Sequence, residues 1–173
     1  MIDFLFQALL FMLPAYVANM VPAFFAHAKL GKVLDGPVDL GRKFRGKRVF
    51  GDHKTVKGFL TGTLAAIFVA WIQYSILQDY SAYLAISLGF LLGFGALVGD
   101  SVKSFFKRRV GIQPGAPFPP FDQLDFVAGS LLFASILIDF EWEFVVVVAG
   151  ASFILHFLAN VIGYLLKVKK VWW

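Results

Sequence analysis

Charge is segregated along this chain to a degree that leaves few folds open. All 16 lysines and arginines fall in three runs: nine between Lys29 and Lys57, four between Lys103 and Arg109, and three between Lys167 and Lys170. Between them lie stretches free of Asp, Glu, Lys and Arg. Phe4 to Ala26, Phe59 to Leu77, Tyr80 to Gly99 and Phe144 to Leu166 each have about the 17–25 residues that carry a helix across a bilayer core. A fifth, Phe126 to Ile138, has only 13 residues. It spans only if its helix starts near Phe121, which draws Asp122 and Asp125 to the membrane boundary; by length alone a re-entrant or interfacial segment fits as well.

The positive-inside rule favours a crossing. If the short stretch spans, every cation lies on one side, and Asp3, Asp79, Asp139, Glu141 and Glu143 lie on the other. The expected fold is therefore an all-α membrane protein of about five transmembrane helices, with the N-terminus outside and the C-terminus cytoplasmic. It forms a single domain over residues 1–173, with a basic cytoplasmic loop at about 28–58 and another at about 103–121. A hydrophobic share of 59% agrees with lipid as the solvent. Met1-Ile2-Asp3 offers no basic n-region and no small-residue cleavage site, so the first stretch reads as a retained helix. Trp71, Trp142, Trp172 and Trp173 fall at or near span ends, as an aromatic belt requires.

Two spans carry unusual residues. The first holds Pro14, Asn19 and Pro22, which predict a kinked inner half with freed carbonyls. The third holds Gly89/Gly93 and Gly95/Gly99, small-xxx-small spacings that permit close helix contact.

The chemistry is concentrated where the third span ends. Asp100, Lys103, Ser104, Lys107 and Arg108 follow i, i+3, i+4, i+7, i+8, which places all five on one helix face. Asp100 to Lys107 then covers roughly 10 Å, about the reach of a polyphosphate with a metal ion. A proline-rich link over residues 111–120 returns the chain so that Asp122 and Asp125 face this helix. Three carboxylates at membrane depth repel one another unless a cation joins them. With no cysteine in the chain, an all-oxygen set favours Mg2+ over zinc. The first basic loop adds Lys54, Thr55 and Lys57 ahead of Gly58, a pattern that suits phosphate or, equally, a loop resting on anionic headgroups. His156 and Asn160 share a face of the last span, where an interhelical hydrogen bond is the expected role.

Taken together, these residues resemble the CDP-archaeol synthases, the archaeal branch of the CDP-diacylglycerol synthase family. The resemblance rests on Ala18-Asn19-Met20-Val21-Pro22, Pro37-Val38-Asp39-Leu40-Gly41 and Phe50-Gly51-Asp52-His53-Lys54-Thr55. It continues through Gly99 to Arg109 and ends with Asp122-Gln123-Leu124-Asp125-Phe126. Bacterial and eukaryotic relatives carry a His-Gly-Gly stretch before an Asp-Arg-x-Asp; here Pro119-Pro120-Phe121 precedes Asp122-Gln123-Leu124-Asp125, which favours the archaeal ether lipid.

The resemblance implies transfer of CMP from CTP to the phosphate of an unsaturated archaeal ether lipid, 2,3-di-O-geranylgeranylglycerol 1-phosphate, releasing pyrophosphate. It implies Mg2+ on Asp100, Asp122 and Asp125, and phosphate contacts from Lys103, Ser104, Lys107 and Arg108. Lys54, Thr55 and Lys57 would meet the nucleotide triphosphate, Asn19 and Pro22 would shape the pocket, and Lys43 and Arg45 would catch the lipid phosphate. The expected partners are CTP, the lipid phosphate and the bilayer rather than nucleic acid; the oligomeric state is left open. A small ion channel or transporter is the alternative, since buried carboxylates also mark ion paths. The signature of the CDP-alcohol phosphotransferases, DGx2ARx8Gx3Dx3D, is absent.

Overall fold

A computed structural model describes residues 2–26, 28–78, 81–113 and 116–167. The C-terminal residues Lys169, Lys170, Trp172 and Trp173, on which part of the charge and belt argument falls, lie outside the described residues, as does Asp79. Helix α1 covers Ile2–Phe24, followed by a single-turn α2 at Lys32–Asp35 and a hairpin of β1 (Lys43–Phe44) and β2 (Lys47–Arg48). Four helices complete the chain: α3 Val56–Leu77, α4 Ala82–Arg109, α5 Phe121–Ala134 and α6 Trp142–Leu165.

Among the described residues, α1, α3, α4 and α6 are long and apolar enough to cross a membrane. Helix α5 has 14 residues, about 21 Å at 1.5 Å per residue. It begins at Phe121, as its short apolar run requires, and lies antiparallel along α4. Gly99 of α4 meets the Asp125 carbonyl, Gly95 meets Gly129, and Ser130 Oγ donates to the Leu92 carbonyl at 2.9 Å. Residues 135–140 then carry the chain to the level of α1's first half, where Phe140 packs on Phe11 with ring centroids 5.6 Å apart.

Local chemistry explains the helix limits. Thr55 caps α3, its hydroxyl accepting from the Gly58 N–H at 3.2 Å, and Ser81 caps α4 by accepting from Leu84 N at 3.3 Å. Both prolines of α1 lie within one continuous helix. Pro14 lacks the N–H that would bond the Leu10 carbonyl, and Gln73 of α3 donates to that oxygen instead, at 2.7 Å. This repairs the backbone within an apolar bundle, where an unpaired carbonyl costs several kcal/mol.

Helix α4 is the centre of the bundle, and its glycines work on two faces. Gly89 and Gly93 lie against Ala70 and Ala66 of α3, whereas Gly95 and Gly99 lie against the α5 backbone. A Cβ on Gly95 would stand 2.6 Å from the Gly129 carbonyl oxygen, so no side chain fits. This contact brings the first turn of α5 beside Asp100.

Candidate active site

The carboxylates that stand well apart in sequence meet at one atom. Lys103 Nζ lies 3.1 Å from Asp100 Oδ1, 3.0 Å from Asp122 Oδ1 and 2.6 Å from Asp125 Oδ2. Lys54 reaches from the loop to pair with the other oxygen of Asp100. Lys107 lies 3.1 Å from Asp122 Oδ1 and donates to the Ala116 carbonyl at 2.5 Å, tying the proline-rich link to α4. The Phe118 N–H donates to Asp122 Oδ2 at 2.5 Å, which fixes the entry into α5.

Three carboxylates and three ammoniums thus neutralise each other in a partly buried cluster. The cation that joins these acids here is the Lys103 ammonium, which contacts all three. The donor set nevertheless fits a divalent cation. Among the described residues no three acidic or imidazole groups surround an open point, because the Lys103 ammonium takes that place. A rotation of its flexible side chain would leave a hard, all-oxygen set of the kind Mg2+ takes.

Around this cluster lies a cavity of about 640 Å3, within the range of small-molecule sites. One wall is the loop from Lys47 to Lys54, another the polar face of α4 from Asp100 to Arg108, and the third the start of α5. Its deep end is lined by Asn19 of α1 and by His156 and Asn160 of α6.

The loop wall owes its shape to Asp39, whose side chain is 1% exposed. This carboxylate accepts from the backbone N–H groups of Gly41 and Phe50, both at 3.0 Å, and of Gly51 at 3.2 Å, and pairs with Arg48 Nη2 at 2.6 Å. Burial alone would raise its pKa, but the Arg48 guanidinium and the three N–H donors outweigh it and hold the value at about 2. Arg109 docks the hairpin on α4: its guanidinium stacks 3.6 Å from the Phe105 ring centroid and donates to the Arg48 carbonyl at 2.9 Å.

The cavity brings together Asn19, Lys54, Asp100, Lys103, Ser104, Lys107, Arg108, Asp122 and Asp125. Ser104 Oγ donates to the Asp100 carbonyl of its own helix at 2.9 Å. Pro22, Lys43, Arg45, Thr55 and Lys57 do not line it. Thr55 is occupied as the α3 cap. Lys57 pairs with Asp35 at 2.9 Å and donates to the Ala28 carbonyl at 2.5 Å, closing the segment around α2, and in turn it lowers the Asp35 pKa. Lys43 and Arg45 project from the exposed hairpin.

Pattern reading of the sequence missed three contributions. Asp39 was legible only as part of a motif. Gln123, 7% exposed, lines the cavity with its Oε1 buried and without a hydrogen-bond partner, and nothing beyond its place between two aspartates marked it. The third is the His156–Asn160 pair as cavity lining: Asn160 Nδ2 lies 3.2 Å from His156 Nδ1 on the same helix, and both residues line the cavity, beside the interhelical role expected of them.

Comparison with known proteins completes the picture. The family model described as CarS-like CDP-archaeol synthase matches residues 1–173. The chain belongs to the CDP-archaeol synthase family. It is 38% identical to the CDP-archaeol synthase of Methanocaldococcus jannaschii over 98% of this chain and 97% of that protein. The corresponding protein of Methanopyrus kandleri is 40% identical over 96% and 92%. A solved structure, described as an intramembrane enzyme for archaeal membrane lipids biosynthesis, aligns with a TM-score of 0.77 at 34% identity, covering 90% of this chain and 94% of that one. Membership in the synthase family makes the chain a multi-pass membrane nucleotidyltransferase of lipid biosynthesis and displaces the channel reading.

Proposed function

We propose that the chain transfers CMP from CTP to the phosphate of 2,3-di-O-geranylgeranylglycerol 1-phosphate or a close ether-lipid analogue, giving CDP-archaeol and pyrophosphate. The M. jannaschii and M. kandleri relatives are named for this product. The observation that carries the reading is the meeting of three carboxylates and three lysines in a cavity that runs from a basic loop into the apolar bundle.

A phosphate monoester has a second pKa near 6, so the lipid phosphate is ionised at neutral pH and needs no general base. One of its oxygens forms the bond to the α-phosphorus of CTP as the bond to the pyrophosphate oxygen breaks. The site must then align two anions and neutralise the charge on the leaving group. Arg108 and Lys107 border the cavity on the α4 side and Lys54 on the loop side, so a triphosphate laid along α4 meets cations on two walls. Lys103 is the pivot: it occupies the carboxylate cluster here, and turned toward the cavity it would meet phosphate. Asp100, Asp122 and Asp125 would hold Mg2+, which supplies further neutralisation of the CTP phosphates when bound. The charged end of the cavity faces the cytoplasm, with the N-terminus outside.

The test is incubation of purified protein with labelled CTP, Mg2+ and either the geranylgeranyl ether phosphate or phosphatidic acid. Equimolar CDP-lipid and pyrophosphate are expected from the ether lipid, with a higher kcat/KM than for phosphatidic acid. Failure of both lipids to yield a CDP-lipid defeats the proposal.

A further inference from the structure

Helices α1 and α6 run parallel, and their seam changes character along its length. In the half distant from the carboxylates it is zipped by rings, with Phe4 on Phe144 at 6.1 Å and Phe11 on Phe144 at 5.5 Å. The zipper ends at a hydrogen bond of 2.7 Å between the Tyr16 and Ser152 hydroxyls. Asn19 and His156 stand about one turn further along and Asn160 about two, and all three line the cavity.

These three residues form an uncharged polar end, distinct from the charged end around Lys103. Asn19 marks its deepest point. Gly93 lies against Ala18 beside Asn19, and Gly93 is seven residues, roughly 10 Å, below Asp100 along α4. The outer faces of both helices at this level are apolar: Met20 and Phe24 on α1, Phe153 and Phe157 on α6, all exposed. Within the bilayer that exposure is to acyl or isoprenoid chains.

Ether and ester oxygens of a glycerol backbone carry no charge and only accept hydrogen bonds. Carboxamides and an imidazole supply donors without the cost of burying an ion. Nucleotide phosphates would instead be held at the cationic end. We propose that Asn19, His156 and Asn160 bind the glycerol portion of the lipid phosphate, and that its tails leave for the bilayer between the inner halves of α1 and α6. This rests on the transferase reading and adds the place and chemistry of the lipid subsite. Attack geometry follows: the lipid phosphate is presented upward, at the carboxylate cluster, from below the nucleotide.

Two measurements test it. In His156→Leu and Asn160→Leu the KM for lipid phosphate rises about tenfold or more, while the CTP dissociation constant, measured without lipid, stays within twofold. Equal weakening of both ligands, or an unchanged lipid KM, overturns the assignment. Independently of folding in the variants, a lipid phosphate with a diazirine near its glycerol is photolysed on the wild-type protein. Adducts are expected within residues 18–24 and 153–164; adducts confined to α3 or to the far side of α4 overturn it. The adducts form whether or not CMP is transferred, so absence of product with any lipid phosphate would strike the transferase reading instead.

Discussion

The α4–α5 seam and the α1–α6 seam solve opposite problems with opposite materials. Along the first, Gly95, Gly99 and Gly129 bring two backbones into direct contact, and Ser130 bonds across to Leu92. Little can rotate there, so Asp100 and Asp125 are held at a fixed separation. Along the second, large rings pack in one half and the seam becomes a cavity wall in the other. Most of α6's inner half is exposed apolar surface. The comparison teaches that one bundle can be stiff where charge is aligned and open where the cavity lies, by the choice of small or large residues at helix contacts.

The sharpest way to break this comparison is to wedge the stiff seam. Gly99→Val places a side chain into the Asp125 carbonyl, and overpacking of this kind costs about 1–3 kcal/mol or more. CMP transfer should fall at least about a hundredfold, from lost alignment, with a lowered thermal midpoint in detergent; unchanged turnover would show that the seam does not set the carboxylate geometry. Next, Asp125→Asn keeps the shape but removes a charge from the cluster. Turnover should drop by about 10²–10³, in line with loss of one preorganised electrostatic contact, and EDTA should abolish the wild-type activity.

Lys103→Met sharpens the role of the pivot. Without its ammonium the three carboxylates are left to attract a cation, so Mn2+ affinity in the absence of nucleotide, read by electron paramagnetic resonance, should rise about tenfold or 1.4 kcal/mol. Turnover should fall in the same variant. Weaker Mn2+ binding would remove the case for a cation among these acids.

Smaller effects separate the loop from the seams. Asp39 has a folded pKa of about 2 against an unfolded value near 4. Its contribution is therefore fully present above about pH 4 and is lost as pH falls through 4 toward 2. Limited proteolysis between residues 37 and 55 should begin in that window, and Asp39→Asn should be cut at neutral pH as well. Least of all, Tyr16→Phe removes the hydroxyl pair that ends the ring zipper. A cost of about 0.6 kcal/mol, typical of interhelical hydrogen bonds in membranes, should lower the thermal midpoint slightly and leave CTP affinity unchanged.

Much was legible from one dimension because lipid imposes one-dimensional rules. Uncharged length marks spans, cations mark a side, and a 3.6-residue period places Asp100, Lys103, Ser104, Lys107 and Arg108 on one face; all five do line the cavity. The convergence of Asp122 and Asp125 on Asp100 was also readable, since a stiff, short link allows no other neighbour. Partner choice was not. Periodicity says which way a side chain points and is silent on what meets it across space. Lys103 becomes the centre of the acids, Thr55 is taken by a helix cap, Lys57 by Asp35, and Asp39 gathers the distant N–H groups of Phe50 and Gly51. Each depends on contacts set by folding of the loop and by backbone approach at Gly99. The chain's own pattern marked the apolar spans and the charged runs between them; only tertiary packing decided which charges neutralise one another, because Coulomb and hydrogen-bond energies depend on separations of a few ångströms that residue order does not encode.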